Sequence, residues 1–475
     1  MRCGRAVLNR VLPTLLVCGL ALVAAAGPAS ATRGPTSGVG PDGTSLMHGD
    51  LFSTDSTPHR GPGRTARLAA SSVPGGACAA TFVGRDGLPV SLCTDYVGPG
   101  GVAVPTVTLF DPNSASVTAR LPLTKGGLLG GVYGYLDDRD RVVVADGSGA
   151  ILRVAHRRTG VGWQLYVAER TVVRQYLSPG NAVTGLAPDW QGRVWFATTH
   201  GTVGTVTYRG PQRIIRAMKL PAGEDLGNGL TIRPSGASIL TTHALYEMKA
   251  AADGVPRVVW RRAYDRGPAR KPGQLTWGSG TTPTYFGAGG DRWVAIVDNA
   301  ARRPHLLVYR SDDGSSVCRM PAFATSGQGT ENSPMARGDS LVIGSTYGYQ
   351  YPPMAVTGRS IPADAGFQGG STRIDVTENG CRRVWENGDR IATLPKLSRA
   401  DGLIHALGYG PYVRGRPQQL GPVYYIATDF ATGARVTTLR VGDAPLDEPM
   451  ELTGTIASGG TLWQATVGRM LKITP

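Results

Sequence analysis

A strand–turn–strand unit recurs about eight times along this chain, at intervals of roughly 45–65 residues. Its turns read Gly84-Arg85-Asp86-Gly87, Asp138-Arg139-Asp140, Asp189-Trp190-Gln191-Gly192, Pro234-Ser235-Gly236, Gly289-Gly290-Asp291, Arg337-Gly338-Asp339, Arg399-Ala400-Asp401-Gly402 and Ser458-Gly459-Gly460. A short run rich in Val, Ile, Trp and Phe follows each turn, as in Arg193 to Thr198 and Arg292 to Val297. Such runs suit a pleated surface packed on both sides. A second turn and strand follow, and a more polar strand closes several units, as in Arg213 to Lys219 and Arg257 to Tyr264. Apolar inside and polar outside is what a radial four-stranded blade requires. The pattern predicts an all-β fold, a β-propeller of eight blades, with seven as the alternative. The last unit, Glu451 to Pro475, is too short for four strands, so the missing outer strand is predicted to come from Ala66 to Val73 and to close the ring.

The N-terminus reads as an export signal at 1–31: basic Arg2, Arg5 and Arg10, an apolar run from Val11 to Ala26, and Ala29-Ser30-Ala31 as the cleavage site. The run is shorter than the ~20 residues a spanning helix needs, which argues against a membrane anchor. Residues 32–75 are rich in Gly, Pro, Ser and Thr and read as a flexible lead-in, and 76–475 as the propeller. Beyond the leader four cysteines remain, Cys78, Cys93, Cys318 and Cys381. An even count in an exported chain predicts two disulfides among three possible pairings. Cys78 with Cys93 is the most local, and Cys318 with Cys381 would tie neighbouring blades. The predicted location is secreted or at the cell envelope, as a monomer.

The formal charge of +15 is spread over scattered arginines, with no basic run interleaved with aromatics. Nucleic acid is therefore not an expected partner. The motifs of serine hydrolases, zinc proteases and phosphate-binding loops are absent.

The phrase Thr428-Asp429-Phe430-Ala431-Thr432-Gly433-Ala434-Arg435 resembles the blade-linking turn of quinoprotein-type propellers. Asp111-Pro112-Asn113 and Asp312-Asp313-Gly314 resemble it more weakly. In that family a tryptophan after the turn docks adjacent blades, where Thr438 and its neighbours stand here. The vicinal cysteines of some quinone enzymes are also missing. Gly192 to Tyr208 resembles one repeat of streptogramin-lyase-like propellers. These resemblances imply the fold and give little support to a pyrroloquinoline quinone cofactor.

Strand alternation brings second-to-third turns and blade-to-blade connections to one face, around one mouth of the channel. The connections are polar: Asp225-Leu226-Gly227-Asn228-Gly229, Ser279-Gly280-Thr281-Thr282, Gly329-Thr330-Glu331-Asn332-Ser333 and Glu448-Pro449-Met450-Glu451. Such a set suits Ca²⁺, a hard cation that takes oxygen ligands, or a sugar or lactone. The alternative is that they satisfy strand ends and ordered water. His200 and His243 occupy equivalent second turns of adjacent units, with Asn299 at that place in the next. With Glu331 they form the expected catalytic set, His200 or His243 moving the proton and Glu331 or Asn332 holding a metal or oxyanion. Asn228, Thr281, Thr282, Asn299 and Asn332 are expected to bind ligand. Long insertions carrying Tyr347, Tyr349, Tyr409, Tyr412 and Arg414 add flat and cationic contacts. Two functions follow: a hydrolase or lyase acting on a sugar-, lactone- or uronate-like small molecule, or a non-catalytic binding or scaffold propeller.

Overall fold

Eight sheets of at least four strands account for nearly all regular structure in the computed structural model, which describes residues 38–475 apart from 74, 99–100, 127–132, 325–328 and 412–420. The expected leader at 1–31 lies outside the described residues, as do Tyr412 and Arg414. The sheets are the blades of an eight-bladed propeller, at 76–122, 135–172, 183–219, 230–263, 284–321, 335–387, 396–444 and 455–474. The last is completed by Arg67–Ser72, which pairs antiparallel with Met470–Thr474 and closes the ring as the sequence predicts.

Within a blade the strands grade from buried to exposed. In the third, Arg193–Thr198 is buried beyond its first residue, whereas the outer Gln212–Lys219 is mostly part-exposed. The turns owe their shape to aspartate. Asp189 Oδ1 accepts the backbone N–H groups of Gln191 and Arg193, each at 2.9 Å, and Asp137 does the same for Arg139 and Arg141. A side-chain carboxylate that satisfies two turn donors fixes the reversal at these two hairpins.

Two blade junctions are made by tryptophan docking. Trp260, on the outer strand of the fourth blade, donates its indole N–H to Ser311 O at 2.8 Å and covers Gly314 in the turn of the fifth. Trp385 of the sixth does the same to Phe430 O at 2.9 Å and Gly433 of the seventh. Both glycines have positive φ, and a Cβ on either would stand under 3 Å from the indole. The docking residue is thus not at Thr438: each tryptophan follows the turn of its own blade and packs on the next.

Cys78 and Cys93 face each other across the first two strands of blade one and are bonded, with Cα atoms 3.8 Å apart. Cys318 and Cys381 join the outer strands of blades five and six. Two disulfides fit an oxidising compartment. Among the described residues no helix is long and apolar enough to cross a membrane.

The lead-in differs from the flexible tether that its composition suggests. Residues 39–57 thread the channel and pair with the free edges of the innermost strands. Backbone N–H groups of Val83, Leu136, Ile232, Tyr285, Ala336 and Leu397 donate to the carbonyls of Thr44, Ser45, Leu51, Phe52, Thr54 and Asp55. Ser56–Thr57 adds a parallel strand to Lys396–Ser398. The physical reason is the accounting of buried backbone: innermost edges carry unpaired donors, and water has little access to a filled channel. The small side chains of Ser53, Thr54, Ser56 and Thr57 let the segment fit there, and all four are buried.

Candidate functional site

The threaded segment closes one end of the channel and leaves a cavity of ≈ 570 Å³ at the other. Met47 and His48 of the lead-in belong to its lining. The blade connections add Asn228, Thr282, Glu331, Asn332, Ser333 and Glu451, and the insertion of blade six adds Tyr351 and Met354. Ala77, Ala79, Val102, Leu275, Leu394, Leu452 and Val467 make much of the remainder apolar. The described lining contains no lysine or arginine.

Glu331 and Glu451 set the chemistry. Burial drives the Glu331 carboxyl up to about 8, opposed by the Leu275 backbone donor and Arg270 and reinforced by the charge of Glu451. Burial likewise lifts Glu451 to about 8, against the hydrogen bond from Asn332 and with repulsion from Glu448. One oxygen of each is held: Glu331 Oε2 accepts from Leu275 N at 3.2 Å, and Glu451 Oε2 from Asn332 Nδ2 at 3.0 Å. The other oxygen of each is buried without a partner. At neutral pH both groups are therefore mostly protonated, each a donor in an apolar setting. Met450 and Glu451 both adopt left-handed backbone, with φ of 51° and 53°. Two consecutive non-glycine residues in that region carry strain of order 1–3 kcal/mol each, which the surrounding packing must hold. Gly280 packs against the Glu331 carboxyl, where a Cβ would collide.

Tyr133 donates to Asn228 Oδ1 at 3.2 Å, and burial raises its phenol. His48 is buried, with Nδ1 2.9 Å from Asp55 Oδ2, and its Nε2 has no partner. Lys396 Nζ lies 2.5 Å from the other Asp55 oxygen. Burial works against ionisation of Asp55, but Lys396 and His48 hold it below the usual carboxylate range.

Of the residues expected from sequence, Glu331, Asn228, Thr282 and Asn332 meet at this cavity. The histidine pair does not. His200 and His243 stand in equivalent turns of blades three and four, outside the lining. His200 is half-exposed and pairs with Asp225 at 3.1 Å. His243 is held between Thr242 Oγ1, at 3.0 Å, and the Arg266 guanidinium, and burial with that positive charge lowers its pKa. An imidazole whose pKa is lowered by burial and a neighbouring cation, one blade from an exposed ion pair, stands outside the cavity with its partner histidine. Thr281 bonds Ser279 and the backbone of Val297, and Asn299 spends its amide on Arg266 O and Ala269 O. Both brace loops. Tyr349 and Tyr409 are buried, donate to the two oxygens of Glu448 and lie outside the lining. Tyr347 is half-buried outside the lining, and Tyr351, four residues on, takes the place at the cavity. Among the described residues no group of three or more His, Cys, Asp or Glu is placed to hold a metal ion, so Ca²⁺ finds no such cluster.

His48 and Asp55 were not foreseen, because they lie in a segment read as flexible. The available signal was Leu46-Met47-His48 and Leu51-Phe52, apolar side chains out of place in a solvated tether.

No protein-family model matches the chain. It is similar to an uncharacterized protein of Archaeoglobus fulgidus, 23% identical over 256 residues, which cover 48% of this chain and 50% of that protein. The chain thus spans about half the length of the curated relative it matches. Among solved structures it is similar to a europium-containing methanol dehydrogenase (TM-score 0.55, 10% identity, 90% of this chain and 98% of that one). A quinohemoprotein alcohol dehydrogenase from Pseudomonas putida HK5 gives TM-score 0.51 at 12% identity, over 92% and 80%. Sqt1 from Chaetomium thermophilum gives 0.52 at 11%, over 85% and 98%. At these identities the likeness shows the fold alone, shared by dehydrogenases and by a propeller solved bound to the N-terminus of a ribosomal protein.

A quinone cofactor does not fit the cavity. Pyrroloquinoline quinone is a polycarboxylate, and the described lining offers it two glutamates and no cation.

Proposed function

We propose that this protein is an exported propeller that takes an uncharged, largely apolar small molecule into the channel cavity and acts on it as a hydrolase or lyase. The observation that carries this reading is the pair Glu331 and Glu451, each raised to about 8, each with an unpartnered oxygen, in one mostly apolar cavity. Carboxylic acids kept neutral near pH 7 by burial are suited to protonate a leaving oxygen or to polarise a carbonyl. A described lining without lysine or arginine favours a lactone or ester over a uronate or other anion. Export is supported by the two disulfides. The second reading, a binding propeller, would use the same carboxyls only as hydrogen-bond donors.

Calorimetry with δ-decalactone, followed by a pH-stat assay for its hydroxy acid, tests the reading. The expected result is stoichiometric binding at pH 6–7 that weakens above pH 8. Glu331→Gln and Glu451→Gln together should abolish turnover and flatten the pH dependence of binding. Binding without turnover would select the second reading, and absence of binding would exclude the cavity as the site for this class of ligand.

A further inference from the structure

We propose that His48 is the general base of the cavity, carried into the site by the N-terminal lead-in and oriented by Asp55. This rests on the reading of the cavity as a catalytic site. The lead-in pairs through its backbone with innermost strands from blade one to blade seven, and these pairings flank His48 at Ser45 and Leu51. The His48 side chain is 9% exposed, its Nδ1 is 2.9 Å from Asp55 Oδ2, and its Nε2 is buried with no partner. A neutral imidazole whose Nδ1–H donates to a carboxylate keeps its lone pair on Nε2. An unsatisfied buried nitrogen is unfavourable, and that cost is removed when a bound molecule or its attacking water donates to it. Asp55 is itself in left-handed backbone, φ 51°, and its second oxygen is held by Lys396, so the carboxylate that orients the ring is fixed from both sides.

For an ester or lactone the site supplies both proton transfers of hydrolysis. Water oxygen adds to the carbonyl carbon while His48 Nε2 takes the water proton. The bond from that carbon to the leaving oxygen then breaks, and the leaving oxygen takes the proton of a glutamic acid, Glu331 or Glu451. Proton return from the imidazolium to the glutamate restores the site, with one water consumed. The titratable groups around His48 are Asp50 and Asp55 on its own segment, Lys396 from blade seven, and Tyr133, Tyr351, Glu331 and Glu451 in the surrounding wall.

The test is hydrolysis of p-nitrophenyl butyrate by the full chain, with δ-decalactone affinity measured in parallel. His48→Gln should lower kcat/KM at least about 100-fold, the scale of a lost general base, and leave lactone affinity within about twofold. Asp55→Asn should lower kcat more than KM and shift the acid limb of the pH profile. If His48→Gln stays within about twofold of the parent while the lactone still binds, or if the parent does not hydrolyse the ester, the assignment of His48 is overturned. If the lactone does not bind the parent, the cavity reading fails instead. Should the variants not fold, acylation of the parent by diethyl pyrocarbonate decides the matter. Modification of His48 that slows when δ-decalactone is present supports the assignment, and an inert or unprotected His48 overturns it.

Discussion

Replacing Glu331 by Gln should stabilise this protein, and by an amount that grows with pH. A carboxyl whose folded pKa stands above its unfolded value holds its proton more tightly when folded. Its contribution is therefore complete below pH 4.5 and is lost as pH climbs to about 8, the values for Glu331 unfolded and folded. Each unit of difference is worth about 1.4 kcal/mol, so by pH 7 the parent has given up about 3 kcal/mol at this one residue, and by pH 9 about 5 kcal/mol. Glutamine is nearly isosteric, keeps an oxygen for the Leu275 N–H, and cannot ionise. Urea unfolding followed by tryptophan fluorescence at pH 5, 7 and 9 reads the effect directly. The variant should be close to the parent at pH 5 and more stable by about 3 kcal/mol at pH 7, with a wider gap at pH 9. A difference that is the same at all three pH values would refute the claim that burial keeps this acid protonated.

Further expectations concern the elements that build the site. Asp55→Asn leaves the Lys396 ammonium buried without its counter-charge and should cost about 3–5 kcal/mol, read as a fall in Tm; an unchanged Tm would mean the pair is not buried as described. Trp260→Ala removes the dock on the fifth blade and should cost about 3 kcal/mol by urea unfolding, whereas a loss under 1 kcal/mol would show the dock to be incidental. Gly433→Ala combines a positive φ of 72° with a collision against Trp385 and should destabilise by more than about 1 kcal/mol; a neutral effect would contradict the blade contact. Thiol titration of the unreduced, denatured protein should find Cys78, Cys93, Cys318 and Cys381 all unreactive, and reduction should lower Tm, with about 3 kcal/mol expected from the 15-residue Cys78–Cys93 loop alone.

The propeller was legible because its code is local and repeated. An aspartate or glycine turn followed by a β-branched run, as at Asp189 to Thr198, needs no distant partner to be recognised. Closure by Arg67–Ser72 was legible from a deficit, since the last unit lacked an outer strand. Topology predicts that connections before innermost strands converge on one mouth, and Glu331, Asn332 and Asn228 all line one cavity. What composition hid was long-range. The innermost strands' unpaired donors decide that a segment of serine, threonine and glycine belongs in the channel, and those donors are visible only once the ring is closed. His48 entered the site by that route. His200 and His243 misled because equivalence between repeats reports position in a blade, and position alone does not say how far a side chain stands from the axis.

The central claim is that the cavity framed by Glu331, Glu451 and His48 is where this protein meets its ligand. The most direct measurement is a crystal structure of the full chain soaked with δ-decalactone at pH 6.5. The account predicts the lactone in the cavity, its carbonyl or ring oxygen within hydrogen-bonding distance of Glu331 or Glu451 and its alkyl chain against Leu275, Leu394 and Val467. A cavity holding only water, with the lactone bound at the opposite face of the propeller, would contradict it.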